Sequence, residues 1–253
     1  MGAGRPTVAT SVRDAPGVPP LESDAVHLWV IDIAPPPQVQ GEGVAREEVR
    51  AGPHSSALAY FTTASERERA ARFKRPGDGG RFLAARGGLR RILAGYLRCD
   101  PHAISFSHGE WGKPSVEGSS LCFNLSHSDA LALVAVAHGR LVGVDVERKR
   151  EIADLDGLAT RICSPRERHE LDAMAPADRQ GAFLAMWTRK EALAKMTGEG
   201  VRALSRDVLL DQQDDCRLEQ VLDLPGYAAC VAAQGTDWRL VRCAPAPGLP
   251  REP

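Results

Sequence analysis

Residues 143–147 read Gly-Val-Asp-Val-Glu. On a strand, Asp145 and Glu147 stand at i and i+2 and share a face, while Val144 and Val146 turn the other way, into a core. Two carboxylates ~7 Å apart along an apolar strand repel one another. A hard cation such as Mg²⁺ relieves that repulsion by taking oxygen ligands, and Mn²⁺ accepts the same donors. A solvated acidic edge, paired with Arg148 and Lys149, is the plainer alternative, and this segment alone leaves both open.

A second carboxylate source lies in Phe183-Leu-Ala-Met-Trp187-Thr-Arg-Lys190-Glu191-Ala-Leu-Ala-Lys195. Trp187, Glu191 and Lys195 recur at i, i+4 and i+8 on a helix. Glu191 and Lys195 alone could form a surface ion pair worth a few tenths of a kcal/mol. A Trp, a Glu and a Lys in one stripe better suit a cleft wall, where the carboxylate meets a metal and the ammonium meets phosphate. Two further segments supply donors for phosphate oxygens without a P-loop. Gly112-Lys113-Pro114 is a tight turn displaying one lysine, and Phe123-Asn-Leu-Ser126-His127-Ser128 ends a strand with hydroxyl, imidazole and hydroxyl.

Other chemistries are excluded by pattern. The chain has no GxGxxG, P-loop, HExxH or GxSxG. Ser126 and His127 are adjacent, but strand neighbours point to opposite faces and cannot act as nucleophile and base.

The elements that must carry these residues mix strands with helices. Val26 to Ile33 reads as a strand, Ser65 to Phe73 as a polar helical turn rich in Arg and Glu, and Asp78 to Leu97 as an amphipathic helix stopped by Pro101. Ile104 to Ser107, Leu121 to Leu125, Leu131 to Ala137 and Leu141 to Glu147 read as strands. Ser164-Pro165-Arg166-Glu167 combines a capping box with proline at the first helical position. Arg179 to Met196 is the strongest helix, stopped by Gly198 and Gly200. Val208 to Leu210, Tyr227 to Ala233 and Trp238 to Cys243 complete the strands. The expectation is an α+β protein of two similar, pseudo-twofold α/β halves with the active site in the cleft between them. The N-terminal half spans 25–142 and the C-terminal half 143–243. A flexible tail precedes them at 1–24, a Pro-rich tail follows at 244–253, and 34–53 reads as a loop.

Composition agrees with a folded enzyme. The 253 residues carry Lys+Arg 32 against Asp+Glu 33, a net charge of −1, which argues against a nucleic-acid binder. Gly 24 and Pro 18 fall short of the roughly 25–30% that marks disorder. No apolar run of ~18 residues could span a membrane, and residues 1–20 lack a signal-peptide h-region. Six cysteines, never closer than 13 residues, form no zinc or redox pattern, so they are expected to be reduced, mostly buried thiols of a cytoplasmic protein.

Taken in order, GKP (112–114), FNLSHS (123–128), GVDVE (143–147) and WTRKEALAKMTGEG (187–200) resemble the Sfp-type 4'-phosphopantetheinyl transferases. The resemblance runs from about Leu58 to Leu210, and the Arg-rich stretch 65–73 with Arg81-Phe82-Leu83 looks like the family's N-terminal half. Two positions depart from it: Glu199 stands where the family often has lysine, and Phe82 where it often has a hydroxyl.

The resemblance implies a monomer that binds coenzyme A between its halves. It would transfer the phosphopantetheine arm to a serine hydroxyl of an acyl or peptidyl carrier protein, releasing adenosine 3',5'-bisphosphate. Carried over position by position, Asp145, Glu147 and Glu191 would hold Mg²⁺, with Glu191 also a base and Lys195 neutralising the leaving phosphate. Ser126, His127, Lys113 and Arg69, with Arg81, would grip the nucleotide. Acidic helical carriers of fatty-acid, polyketide or peptide synthesis are the implied partners, facing the cations Arg148, Lys149, Arg150, Arg161, Arg166 and Arg168. The competing reading is a Mg²⁺-dependent pyrophosphohydrolase of coenzyme A, using the same acids with water as acceptor.

Overall fold

The computed structural model describes residues 18–34, 57–200 and 215–243. The first half supplies strand β1 (Ala25–Asp32), helix α1 (Ala64–Ala70), helix α2 (Asp78–Leu97), the short hairpin β2 (Phe106–His108) and β3 (Pro114–Val116), then β4 (Leu121–Ser128) and β5 (Leu131–His138). The second supplies β6 (Val142–Arg148), helices α3 (Leu155–Ile162), α4 (Pro165–Asp172) and α5 (Pro176–Thr197), then β7 (Cys216–Gln220), β8 (Tyr227–Gln234) and β9 (Arg239–Arg242).

The halves repeat one topology. β1 pairs antiparallel with β5 and β5 with β4, just as β6 pairs with β8 and β8 with β7. A long helix follows the first strand of each half. β9 then crosses over and joins β1 in parallel, giving sheet orders β4-β5-β1-β9 and β6-β8-β7.

The apolar patterning explains how these parts stack. β1 and β5 are buried on both faces, as near-continuous apolar runs should be. Trp29, Ile31, Val134 and Val136 pack with Leu89, Ile92 and Leu93 of α2. The opposite faces, Val26, Leu28, Leu133 and Ala135, pack against Val142, Val144, Val146 and Val231 of the second sheet. On its far side that sheet meets Met186, Leu193 and Met196 of α5. The result is helix, sheet, sheet, helix.

Helix ends follow local chemistry. Ser164 and Glu167 form the expected capping box at α4. Thr63 and Glu66 form another at α1, from the same S/T-x-x-E signature, which the sequence reading passed over. Gly198 ends α5 at φ 77°, a left-handed C-cap that glycine adopts without steric cost.

Several expectations shift. The strand expected at Ile104 to Ser107 is displaced to Phe106–His108 by a 3₁₀ turn at Pro101–Ala103. The helix α3 carries helical spacing in Leu155, Leu158, Ala159 and Ile162, but at eight residues with Gly157 inside it the pattern is too short to stand out in the sequence. Val208 to Leu210 lies outside the described residues. All six cysteines are free, but only Cys216 and Cys230 are buried and the other four are half-buried. Among the described residues, no helix is long and apolar enough to cross a membrane.

Candidate active site

The site lies where the edge of β4 meets the edge of β6, with α5 laid across β6. Gly143 permits this approach: a methyl there would fall 2.0 Å from the Ala192 carbonyl oxygen and 2.4 Å from the Met196 nitrogen. Only a residue without Cβ lets strand and helix backbones come so close.

β4 and β6 are joined by side chains. Asn124, Ser126 and Ser128, at i, i+2 and i+4, present one polar face of β4 to β6. The Asn124 Oδ1 accepts from the Val144 N–H at 2.9 Å, the Ser126 hydroxyl donates to Asp145 Oδ1 at 2.9 Å, and the Ser128 hydroxyl donates to Glu147 Oε2 at 3.0 Å. Ser128 Oγ also accepts from the Arg148 N–H. These polar residues satisfy an edge that backbone pairing leaves open.

Asp145 is the buried centre, 3% exposed. Its Oδ1 receives the Lys195 ammonium at 2.5 Å, and Lys195 also donates to Ser126 Oγ at 3.0 Å. Its Oδ2 is buried and has no hydrogen-bond partner. Burial pushes the Asp145 carboxyl above the usual range, against the pull of Lys195 and Ser126 and with Glu147 adding to the rise. Glu191, half-buried one turn before Lys195, is also raised by burial, with Lys195 opposing and the charges of Asp145 and Glu147 reinforcing. Glu191 therefore feels the charge of both strand acids. Even so, among the described residues no group of three or more His, Cys, Asp and Glu is gathered closely enough to hold a metal ion. Lys195 and the two serines hold Asp145 Oδ1 and Glu147 Oε2 instead.

The chemistry of the donors, though not their spacing, suits a hard cation: Asp145 Oδ2 is an unpartnered buried carboxylate oxygen, and Glu147 and Glu191 are further oxygen donors of the kind that Mg²⁺ or Mn²⁺ takes.

The expected nucleotide residues divide into two groups. His127 is exposed at the rim; loss of surrounding water lowers its pKa first, then Lys195 and Arg81 lower it further, with Asp78 opposing. Arg81 meets Asp78 at 2.6 Å in the first turn of α2. Arg69 is exposed and lies over the Phe82 ring, 5.2 Å from its centroid. Phe82 itself is buried and packs on Phe73, so the position where a hydroxyl was expected serves as an apolar platform for Arg69. Lys113 stands apart from these. Its ammonium donates to the Val142 carbonyl at 3.0 Å and the Met196 carbonyl at 2.7 Å, and burial pulls its pKa down to about 8.

Trp187 does not line the cleft beside Glu191 and Lys195. It packs on Phe183, 6.4 Å between centroids, among Leu171 and Ala159 of the neighbouring helices. Sequence reasoning also missed the partner of Lys190, the residue before Glu191, which is fully buried against Glu167 of α4 at 2.8 Å. A lysine and a glutamate in separate helices carry no local signal of such a pairing.

Comparison with known proteins places these features in a family. A family model described as the 4'-phosphopantetheinyl transferase superfamily matches residues 141–241, the half that holds Asp145, Glu147, Glu191 and Lys195. The 4'-phosphopantetheinyl transferase HetI of Nostoc sp. is 37% identical over 224 residues, covering 84% of this chain and 88% of the relative. A 4'-phosphopantetheinyl transferase of Bacillus subtilis is 30% identical over 170 residues, 66% of this chain and 74% of the relative. The 4'-phosphopantetheinyl transferase Sfp of Bacillus subtilis (strain 168) is 27% identical over 192 residues, 70% and 84% respectively. These relatives extend the similarity beyond the family model into the first half.

Proposed function

The chain belongs to the 4'-phosphopantetheinyl transferase superfamily and is a transferase of that kind; from that premise we propose how its residues divide the work of moving the phosphopantetheine arm of coenzyme A to a carrier-protein serine. The observation that carries this reading is the buried Asp145 with its unpartnered Oδ2, set against Glu147, Glu191 and Lys195.

Asp145, Glu147 and Glu191 would hold Mg²⁺, or Mn²⁺ in its place. Bound there, the ion supplies charge stabilisation to the pyrophosphate oxygens. Lys195, already at the Asp145 carboxylate, donates to the phosphate that leaves. His127, Ser126, Arg81 and Arg69 orient the adenosine 3',5'-bisphosphate portion. The serine Oγ forms a bond to the phosphorus that bears the pantetheine. The bond from that phosphorus to the bridging oxygen breaks, adenosine 3',5'-bisphosphate departs, and the serine proton passes to Glu191.

The protein acts as a cytoplasmic monomer on acyl or peptidyl carriers, which are acidic helical domains. Arg161 on α3 and Arg166 on α4 are exposed and offer that charge complement. The test is a panel of apo carriers incubated with coenzyme A and Mg²⁺ and read by mass spectrometry. Covalent gain of the phosphopantetheine arm on a carrier supports the transferase. Cleavage of coenzyme A with no protein-bound product would replace it with the pyrophosphohydrolase.

A further inference from the structure

Lys113 is a half-buried cation on the first half whose ammonium is held by two backbone carbonyls and, among the described residues, by no carboxylate. It donates to one carbonyl at the start of β6, Val142, and to one in the last turn of α5, Met196. These acceptors lie 29 and 83 residues away in sequence, so the contact is wholly tertiary. Each is a group that its own element leaves open. The last four carbonyls of a helix lack intrahelical partners, and an edge strand presents unpaired groups on its outer side. A cation at a helix C-terminus is also favoured by the helix dipole.

The two elements that Lys113 joins carry the chemistry. Lys195 and Glu191 sit on α5 and Asp145 and Glu147 on β6; Met196 directly follows Lys195, and Val142 lies three residues before Asp145. The Gly143 backbone already abuts Ala192 and Met196. One residue later, Asn124 holds the Val144 N–H. Lys113 therefore stands at the head of the polar seam that continues through Asn124, Ser126 and Ser128. Its lowered pKa does not break the contact, because a neutral amine still has two N–H groups for two carbonyls.

We propose that Lys113 is a positioning residue that clamps the start of β6 to the last turn of α5, so that Lys195 and Asp145 meet in the geometry that transfer requires, and that its ammonium is not a ligand of the nucleotide phosphates. This deepens the transferase reading and rests on it. A clamp and a phosphate ligand differ in what their loss does. Misplacing Lys195 and Asp145 lowers kcat for every substrate, whereas losing a phosphate contact raises KM for the substrate that bears the phosphate.

The experiment compares wild type with Lys113→Met and Lys113→Gln, using coenzyme A and 3'-dephospho-coenzyme A against one apo carrier. The clamp predicts that kcat falls at least ~10-fold for Lys113→Met with KM for coenzyme A within about twofold, and that the factor is the same for both substrates. Lys113→Gln, which keeps donors at the position, should lie between the two. Hydrogen–deuterium exchange on the same proteins gives a readout independent of activity. Exchange should quicken in 142–148 and 194–200 while α2 and β5 stay protected. A tenfold rise in KM with kcat intact, or a loss confined to coenzyme A over its 3'-dephospho form, would overturn the clamp, as would unchanged exchange in both segments. A wild type that modifies no carrier overturns the transferase reading instead, and the exchange result still decides whether Lys113 clamps.

Discussion

Lys190→Met tests how α5 is anchored. The Lys190 ammonium lies 2.8 Å from Glu167 Oε2, and both side chains are fully inaccessible to solvent. Glu167 is also the third residue of α4, where its carboxylate accepts the Ser164 N–H at 2.7 Å. Methionine preserves most of the buried lysine stem but strips the charge, leaving a carboxylate in a dry interior. Removing one partner of a buried ion pair costs about 3–5 kcal/mol, because the survivor's desolvation is no longer offset. With m near ~3 kcal/mol/M for a chain of this size, the urea midpoint should fall by about 1–1.7 M. The double variant Lys190→Met with Glu167→Gln removes the stranded charge while the amide oxygen still serves the capping box. Its cost should drop to about 1–2 kcal/mol, giving a coupling energy above ~1 kcal/mol. Equilibrium urea unfolding followed by circular dichroism at pH 7 measures all four corners of the cycle. If Lys190→Met alone costs less than ~1 kcal/mol, or the double variant is no more stable than the single one, the anchoring argument fails.

Other perturbations have equally definite outcomes. Asp145→Asn should abolish transfer and lower the thermal midpoint only slightly, since the Lys195 ammonium that loses its partner is itself partly exposed; a large fall in midpoint would show that the acid is structural. Glu191→Gln should lower kcat by at least ~10²-fold, and a rise in KM for coenzyme A with kcat intact would make it a binding residue rather than a base. Burial works to raise the Glu66 carboxyl, but the Thr63 N–H, Arg90 and Arg86 outweigh it and hold the pKa below its usual 4.5. Its contribution to stability is therefore present above that value and lost as pH falls through the lowered one, so the urea midpoints of Glu66→Gln and wild type should differ at pH 7 and converge towards pH 3. Arg161→Glu with Arg166→Glu should raise KM for the carrier and leave KM for coenzyme A unchanged, an effect that high salt reproduces in wild type; equal kinetics at low salt would move the docking face elsewhere.

What the sequence made legible is what short-range periodicity controls. Asp145 and Glu147 share a face because strands alternate, and the valines beside them do enter the core. The capping box at Ser164 and the stop at Gly198 rest on local backbone needs, and both appear where expected. The same logic shows why Trp187 misled. Positions i, i+4 and i+8 are not one line on a helix of 3.6 residues per turn; over eight residues the stripe rotates by ~80°. Glu191 and Lys195 stay over β6, while Trp187 swings round onto Phe183 and the α3–α4 layer.

The illegible part has a different cause: a donor's identity is written in the sequence, but its acceptor is chosen by topology. Lys113 reads as a cation displayed on a turn, and nothing within the turn says that two carbonyls from the other half will lie above it. Ser126 reads as a hydroxyl for phosphate, yet it also bonds the acid and the ammonium of the site. The polar alternation of Asn124, Ser126 and Ser128 on one face of β4 was the available clue. A central strand flanked by partners has no use for three polar side chains on one face, whereas a strand facing an unpaired edge does. The motif is therefore a seam between halves first: its three polar side chains bond the Val144 N–H, Asp145 and Glu147, and so hold the acids of β6 in register against β4.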